Sequence, residues 1–546
     1  MRSGRGVLPT LGRHIALALP LVVWALAACE GCRSTQATTP AAPPGSAADA
    51  GPPTARLYFV TDLAGALEPC GCTKDQLGGL DHFAAWAKGG RAGGSTALVA
   101  SAGPLFFMDD KLEGERADQD RLKALTIAQV LHSLGFAAFA PGANDWDDGP
   151  EGLKKLAGTA GGATIDGTGS SAVREVGGLK IGFVGFGQSA APQEIPDRAV
   201  EEAVKRGVGE AKERGANVLV ALASVGRGEA KRIADAVPEL TAIVVGSSKA
   251  SGDANTSAPQ GEQVGDVLIV QAANHLQSVA VLDLYVRQPP LDAARVVKFA
   301  DGTGLELSRK REDLAQRVDD LHVKIASWER DPIIAPRDVE SRREDLRRLE
   351  AERDALDQRP PPAQGNFFRY SVVEIRESLG KDPAIDALLG GYYKVVDEHN
   401  RIAFAGRLPV PARPDQASYV GIDACSKCHE AARAVWDKTS HSGAYATLSA
   451  QFKEFNLECV GCHVTGYERP GGSTVAHVDP LRNVQCEACH GPGSQHVLDP
   501  TDKTRILARP QASRCLECHH PPHVESFDTA AKMKEILGPG HGMPVR

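Results

Sequence analysis

From Arg56 to about Val286, short apolar runs rich in β-branched residues alternate with stretches whose apolar positions recur every three or four residues. The runs Arg56–Thr61, Leu98–Ser101, Gly182–Gly187, Val218–Ser224, Ala242–Gly246 and Val267–Gln271 read as buried strands, and Asp118–Leu134, Ala199–Arg214 and Gly228–Ala236 read as amphipathic helices. Strand–helix alternation of this kind predicts a layered α/β domain over residues 56–290. Loops at the carboxyl ends of its strands would form any site.

Beyond it the period changes. Leu307, Leu314, Val318, Leu321, Ile325 and Trp328 follow the a/d spacing of a coiled-coil seam, with charges on the other faces. Asp331-Pro332 breaks this helix, and a second pattern through Val339, Leu346, Leu349 and Leu356 precedes Pro360-Pro361-Pro362. A helical hairpin over 305–360 is expected, acting as a spacer or a dimerisation surface. Residues 366–410 read as a connector to the last segment, 415–546, which lacks long periodic stretches.

That last segment changes the picture through its cysteines. Cys425-Ser-Lys-Cys428-His429, Cys459-Val-Gly-Cys462-His463, Cys486-Glu-Ala-Cys489-His490 and Cys515-Leu-Glu-Cys518-His519 each have two thiols and an adjacent imidazole, the pattern for covalent attachment of a c-type haem with the histidine as proximal iron ligand. The chain's own Cys and His frequencies give roughly 0.008 such pentapeptides by chance. A zinc ribbon also uses Cys and His at short spacing, but has no need of a histidine after every second cysteine. Four c-type haems are the expected cofactors, and electron transfer the expected role.

At about 30 residues per haem, the segment is too short to give each porphyrin its own core. The macrocycles must supply buried surface and lie close together. Of the ten histidines after Ser418, four are proximal, leaving His441, His477, His496, His520, His523 and His541, against only Met533 and Met543. Bis-histidine ligation is therefore expected at most sites, with lower potentials than His/Met sites show.

The amino terminus carries Arg2, Arg5 and Arg13 ahead of the apolar run Ile15–Ala28, which reads as a signal peptide over residues 1–28. It closes on Leu26-Ala27-Ala28-Cys29, which resembles the lipobox of bacterial lipoproteins. That resemblance implies lipidation of Cys29, and Glu30 after it implies the outer membrane. Residues 29–55 are rich in Ala, Pro, Ser, Thr and Gly and read as a flexible tether. The net charge of −8 supplies no basic footprint, which argues against a nucleic-acid partner. The remaining cysteines are Cys32, Cys70 and Cys72. Cys70-Gly71-Cys72, with Lys74 beside it, suits redox chemistry or metal binding, or a structural turn closed by a local disulfide.

Two resemblances follow from loop motifs. Thr61-Asp62-Leu63-Ala64-Gly65, Ala102-Gly103-Pro104, Gly142-Ala143-Asn144-Asp145, Ala221-Leu222-Ala223-Ser224 and Val245-Gly246-Ser247-Ser248-Lys249 stand in the order of the metal-binding loops of 5′-nucleotidase-type calcineurin-like metallophosphatases. The resemblance implies an α/β sandwich. It also implies a lost phosphatase site, since only Asp62 survives while Ala64, Pro104, Ala143, Ser224, Ser247 and Lys249 hold the other ligand positions, and Asn144 that of the catalytic histidine. Binding of a phosphate ester without turnover stays open as a residual role.

The last segment resembles the cytochrome c-554-type tetrahaem family through Tyr419-Val420-Gly421, Trp436 with Thr439-Ser440-His441, Glu458 to Tyr467 and Asn483 to His496. The expected fold there is mainly helical and irregular. By that resemblance His441 and His496 are the first candidates for distal ligands, followed by His523 or His541. In that family one haem can be five-coordinate, which implies an alternative role as a haem enzyme acting on a small nitrogen or sulfur oxide. The expected partners are a redox protein or quinol-linked cytochrome, and a membrane through the lipid.

Overall fold

Two β-sheets packed face to face, with helices on both outer faces, form the body of the chain; the computed structural model describes residues 51–541 except 70–75, 92–95, 110, 113, 190–196, 251–253, 288–294, 332, 357–364, 521–522 and 525–526. The strands are β1 (Ala55–Thr61), β2 (Ala97–Gly103), β3 (Phe136–Pro141), β4 (Ala163–Thr164), β5 (Ala172–Val176), β6 (Leu179–Phe186), β7 (Val218–Ser224), β8 (Ala242–Gly246), β9 (Glu262–Val264), β10 (Val267–Val270), β11 (Ser278–Tyr285), β12 (Ala300–Asp301) and β13 (Phe367–Glu374). One sheet runs β12-β13-β11-β1-β2-β3-β4 and the other β5-β6-β7-β8-β10-β9. Their inner faces meet in a core that includes Leu57, Phe59, Ile181, Phe183, Val220, Leu268 and Phe368. Near-continuous apolar strands follow from this burial on both faces.

Helices α1 (Leu80–Arg91), α2 (Ala117–Ser133) and α3 (Gly149–Ala160) cover the first sheet, while α4 (Asp197–Glu213) and α5 (Arg227–Ala236) cover the second. Helix α3 stops at Gly161, whose φ of +76° lets its N–H reach the Ala157 carbonyl. The hairpin consists of α6 (Leu305–Trp328) and α7 (Pro336–Ala355). Leu314, Val318 and Leu349 pack between them, with Leu321, Leu346 and Leu356 alongside. The Asp301 carboxylate starts α6 by accepting from the N–H groups of Thr303, Gly304 and Leu305.

The segment read as a connector, 366–410, is part of the sandwich. Strand β13 pairs antiparallel with β11 from Phe367 opposite Tyr285 to Glu374 opposite Ser278. Helix α8 (Pro383–Ala403), begun by Asp382 accepting from Ala384 and Ile385 N–H, lays Ile385, Leu389, Tyr392, Tyr393 and Val396 into the core shared with α1 and α2. The first domain therefore extends to about residue 403, with the hairpin inserted between β12 and β13. Phe367, Phe368 and Tyr370 are too apolar to leave in water, and the edge of β11 is where they are buried.

The last segment is built from short helices: α9 (Ile422–Ser426), α10 (Glu430–Trp436), α11 (Ala444–Ser449), α12 (Val460–His463), α13 (Cys486–His490), α14 (Ser494–Leu498) and α15 (Thr529–Ile536). Its apolar cluster of Phe404, Tyr445, Val460, Val464, Val475 and Val478 is small. Among the described residues no helix is long and apolar enough to cross a membrane.

Candidate haem centres

Glu487, inside the third Cys-x-x-Cys-His motif, organises two of the centres. Its buried carboxylate accepts from Val420 N–H at 3.0 Å, Gly421 N–H at 2.8 Å and Gly493 N–H at 2.7 Å. Those bonds hold the strand entering the first motif and the turn entering α14 against one another. His429 and His496 are thereby brought together, with ring centroids 6.4 Å apart and planes inclined by 28°.

The same arrangement recurs twice. His441 faces His519 at 6.2 Å and 42°, and His490 faces His541 at 6.5 Å and 26°. Rings in direct contact lie much closer, as Phe527 does to His519, at 4.2 Å and 6°. With metal–imidazole bonds of about 2 Å, two imidazoles on opposite sides of one ion have centroids about 6 Å apart. Each facing pair thus leaves room for one metal ion between its rings. His496 adds an independent sign, since its Nδ1 is buried without a hydrogen-bond partner and would cost free energy left so.

Tautomers are set from behind. His463 Nδ1 lies 2.6 Å from the Ala444 carbonyl and His490 Nδ1 lies 2.8 Å from the Leu507 carbonyl. A carbonyl can only accept, so each Nδ1 carries the proton and each Nε2 presents a lone pair, as an axial ligand must. Among the described residues no histidine ring faces His463. His441, His496 and His541 each face a motif histidine, whereas the fourth distal candidate, His523, lies against His520 at 5.4 Å. Burial lowers the pKa of His441, His519 and His541, which keeps their imidazoles neutral and able to donate electron pairs.

The eight motif thiols are unbridged. Cys425 and Cys486, from the first and third motifs, lie close enough to shift one another's ionisation, the Cys486 pKa down and that of Cys425 up. Cys462 and Cys518, from the second and fourth, do the same, with Cys462 lowered. Motifs far apart in sequence are therefore adjacent in pairs. The residues present fit covalently attached haem: thiols two by two, a following imidazole, and in three cases a second imidazole at metal-bridging distance.

The loops of the first domain give the opposite result. Asp62 accepts from Ser247 N–H at 2.8 Å and Ser247 Oγ–H at 3.3 Å. Asn144 is held by the Met108 and Ala250 carbonyls and by Ala250 N–H. Ser224 accepts from Gly103 N–H and donates to the Ala140 carbonyl. Gly103, at φ +86°, sits so close that a Cβ there would lie 2.0 Å from Asp62 Oδ1. The loops close on each other with hydrogen bonds where a two-metal centre would need carboxylates and imidazoles. Burial pushes the Asp62 carboxyl up to about 6. Cys29, Cys70 and Cys72 lie outside the described residues.

Sequence reasoning missed the contact between α2 and the second motif. Gln119, Asp120 and Lys123 are buried polar residues on α2, and Lys123 Nζ pairs with Glu458, next to Cys459. Three polar side chains on the one flank of α2 that ought to face solvent were the available signal.

Residues 424–491 match the family model described as cytochrome c554 and c-prime, a span that holds the first three motifs. The chain carries a c-type cytochrome domain, and c-type haem is the group this family implies. Cytochrome c-554 of Nitrosomonas europaea is 36% identical over 93 residues, which cover 14% of this chain and 40% of that protein. Among solved structures, the chain is similar to a 5′-nucleotidase precursor from Thermus thermophilus (16% identity, TM-score 0.38, 76% of this chain and 69% of that one). It is also similar to a sulfate thiohydrolase from Thermus thermophilus bound to glycerol (16% identity, TM-score 0.34, 43% of this chain and 54% of that one).

Proposed function

We propose that this chain is a tetrahaem c-type cytochrome that passes electrons between closely spaced haems, with the first domain as its scaffold. The observation that supports it most is the set of three facing histidine pairs, each holding one motif histidine. On this reading His429/His496, His490/His541 and His519/His441 are the axial pairs of the first, third and fourth haems, and His463 is the proximal ligand of the second. On this reading the proximity of Cys425 to Cys486 and of Cys462 to Cys518 supports a first haem beside the third and a second beside the fourth. Bis-histidine ligation sets low potentials, suited to a redox protein or quinol-linked cytochrome as partner.

The reading includes export, cleavage after Ala28 and a lipid on Cys29 that holds the protein at the periplasmic face of the outer membrane or at the cell surface. The α6–α7 hairpin, inserted between β12 and β13, is its surface for dimerisation. Cys70 and Cys72 are assigned redox or metal use in the same compartment.

A second reading, a haem enzyme acting on a small nitrogen or sulfur oxide, draws on one observation: His463 has no facing histidine among the described residues. Electron paramagnetic resonance of the oxidised protein tests both. Three low-spin ferric signals and one high-spin signal that responds to nitric oxide support an open second haem. Four low-spin signals confine the protein to electron transfer. A protein with no low-spin signal refutes the paired ligation.

A further inference from the structure

We infer that the Lys123–Glu458 ion pair, together with the Gln119–Asn400–Asn456 amide cluster, makes the first domain the element that positions the second haem and sets its reduction potential. The inference rests on the proposed attachment of haem at Cys459 and Cys462.

The positioning part is a chain of hydrogen bonds. Gln119 on α2, Asn400 on α8 and Asn456 just before the motif are 0%, 1% and 2% exposed. Gln119 Nε2 donates to Asn456 Oδ1 at 3.1 Å, while Gln119 Oε1 accepts from Asn400 Nδ2 at 2.9 Å and from Leu457 N–H at 3.0 Å. Asn400 Nδ2 also donates to the Phe455 carbonyl at 2.9 Å. Asn456 Oδ1 takes Glu458 N–H at 2.9 Å, and its backbone carbonyl takes the N–H groups of Cys459 and Val460 at 3.1 and 3.0 Å. The peptide from Phe455 to Val460 is thus fixed by two helices of the first domain, and the Asn456 carbonyl leads into α12, which has Cys459 at its N-cap and carries Cys462. A satisfied buried amide cluster has one good arrangement, which is why it fixes position where apolar contacts would tolerate sliding.

The electrostatic part is the ion pair. Lys123 Nζ lies 2.5 Å from Glu458 Oε1 and 4.0 Å from Asp120, which Arg116 pairs in turn at 3.0 Å. Burial works against the Lys123 ammonium, but Glu458 and Asp120 outweigh it and hold the pKa above its ordinary value; Glu458 is held below its own by Lys123. Both stay charged. An ion pair whose ammonium is buried and whose carboxylate is only partly exposed, as here, is costly to assemble and often no more stabilising than apolar side chains of equal volume. Its place one peptide bond from a haem thioether gives it another effect, because unit charges act strongly at low dielectric and burial and nearby charge tune haem potentials. A cation near iron favours the reduced form, and an anion favours the oxidised one.

The test is spectropotentiometric titration of the full-length holoprotein and of K123M, E458Q and K123M/E458Q. K123M should lower one of the four midpoints and E458Q should raise the same one. Each should change the reduced-to-oxidised ratio of that haem at the wild-type midpoint at least threefold, or about 28 mV at about 59 mV per tenfold for one electron. The charge-neutral double variant should return towards wild type. A structural role alone would not give shifts of opposite sign. The inference is overturned if no midpoint moves, if both single variants move it in one direction, or, should a single variant load haem poorly, if the double variant stays displaced. Mass analysis of the peptide bearing Cys459 and Cys462 separates the two levels: a peptide without haem defeats the parent reading, whereas a haem-bearing peptide with unmoved potentials defeats only this inference.

Discussion

His490 and His541 face each other at 6.5 Å with planes inclined by 26°, and His490 is locked from behind by the Leu507 carbonyl. His541 comes from the tail that follows α15 and is brought beside the histidine of the third motif. On the proposed reading, H541M exchanges a bis-histidine site for a His/Met one. Expected is a rise in one of four midpoints with retention of all haems, read by potentiometry and by a sulfur-to-iron charge-transfer band. An unchanged set of four midpoints would remove His541 from the ligands.

Gln119 links two helices of the first domain to the peptide before Cys459. Q119L keeps the volume and leaves Asn400, Asn456 and Leu457 N–H short of partners. A loss of about 1–3 kcal/mol is expected for each buried polar group left unsatisfied, measured by denaturant titration of the holoprotein. A surface substitution such as K154Q, at an exposed ion pair, should change stability by less than about 0.5 kcal/mol.

The buried Asp62 carboxyl, pushed to about 6 in the folded chain against about 3.9 unfolded, gives a signed pH dependence. The folded state holds this proton more tightly, so its contribution is fully present below pH about 4 and is lost as pH rises to about 6. The slope expected from this one group is at most about 1.4 kcal/mol per pH unit. D62N should flatten that part of the stability curve and exceed wild type in stability at pH 7. A curve parallel to wild type would show that Asp62 is ionised in the folded chain without cost.

Phosphatase assays with added manganese should show no turnover, because Asp62, Asn144 and Ser224 are engaged with backbone partners and with Ser247. Robust hydrolysis of a nucleotide monophosphate would contradict that.

The sequence made the strands β1, β2, β6, β7, β8 and β10 legible because each is an apolar run buried on both faces, and it made α2, α4 and α5 legible through their period. Strand β13 was not, because its pairing with β11 is decided across an inserted hairpin and no local signal in Phe367–Glu374 names the partner. The motif cysteines and histidines were legible because haem attachment is a contiguous pattern. The distal candidates, His441 and His496 and then His523 or His541, were legible only through the family resemblance: they are single residues outside any contiguous pattern, and their pairing depends on which turns Glu487 and its neighbours hold together. Lys123 was missed for a related reason, since a lysine on an amphipathic helix is usually solvated and only the docked second motif buries it.

The account turns on iron porphyrin being bonded to the eight motif thiols. Intact-mass measurement of the purified mature protein, joined to a pyridine haemochrome titration, is the most direct test: it should give a mass increase of four haems and four haems per chain. A colourless protein with eight free thiols, or one carrying zinc, would contradict it.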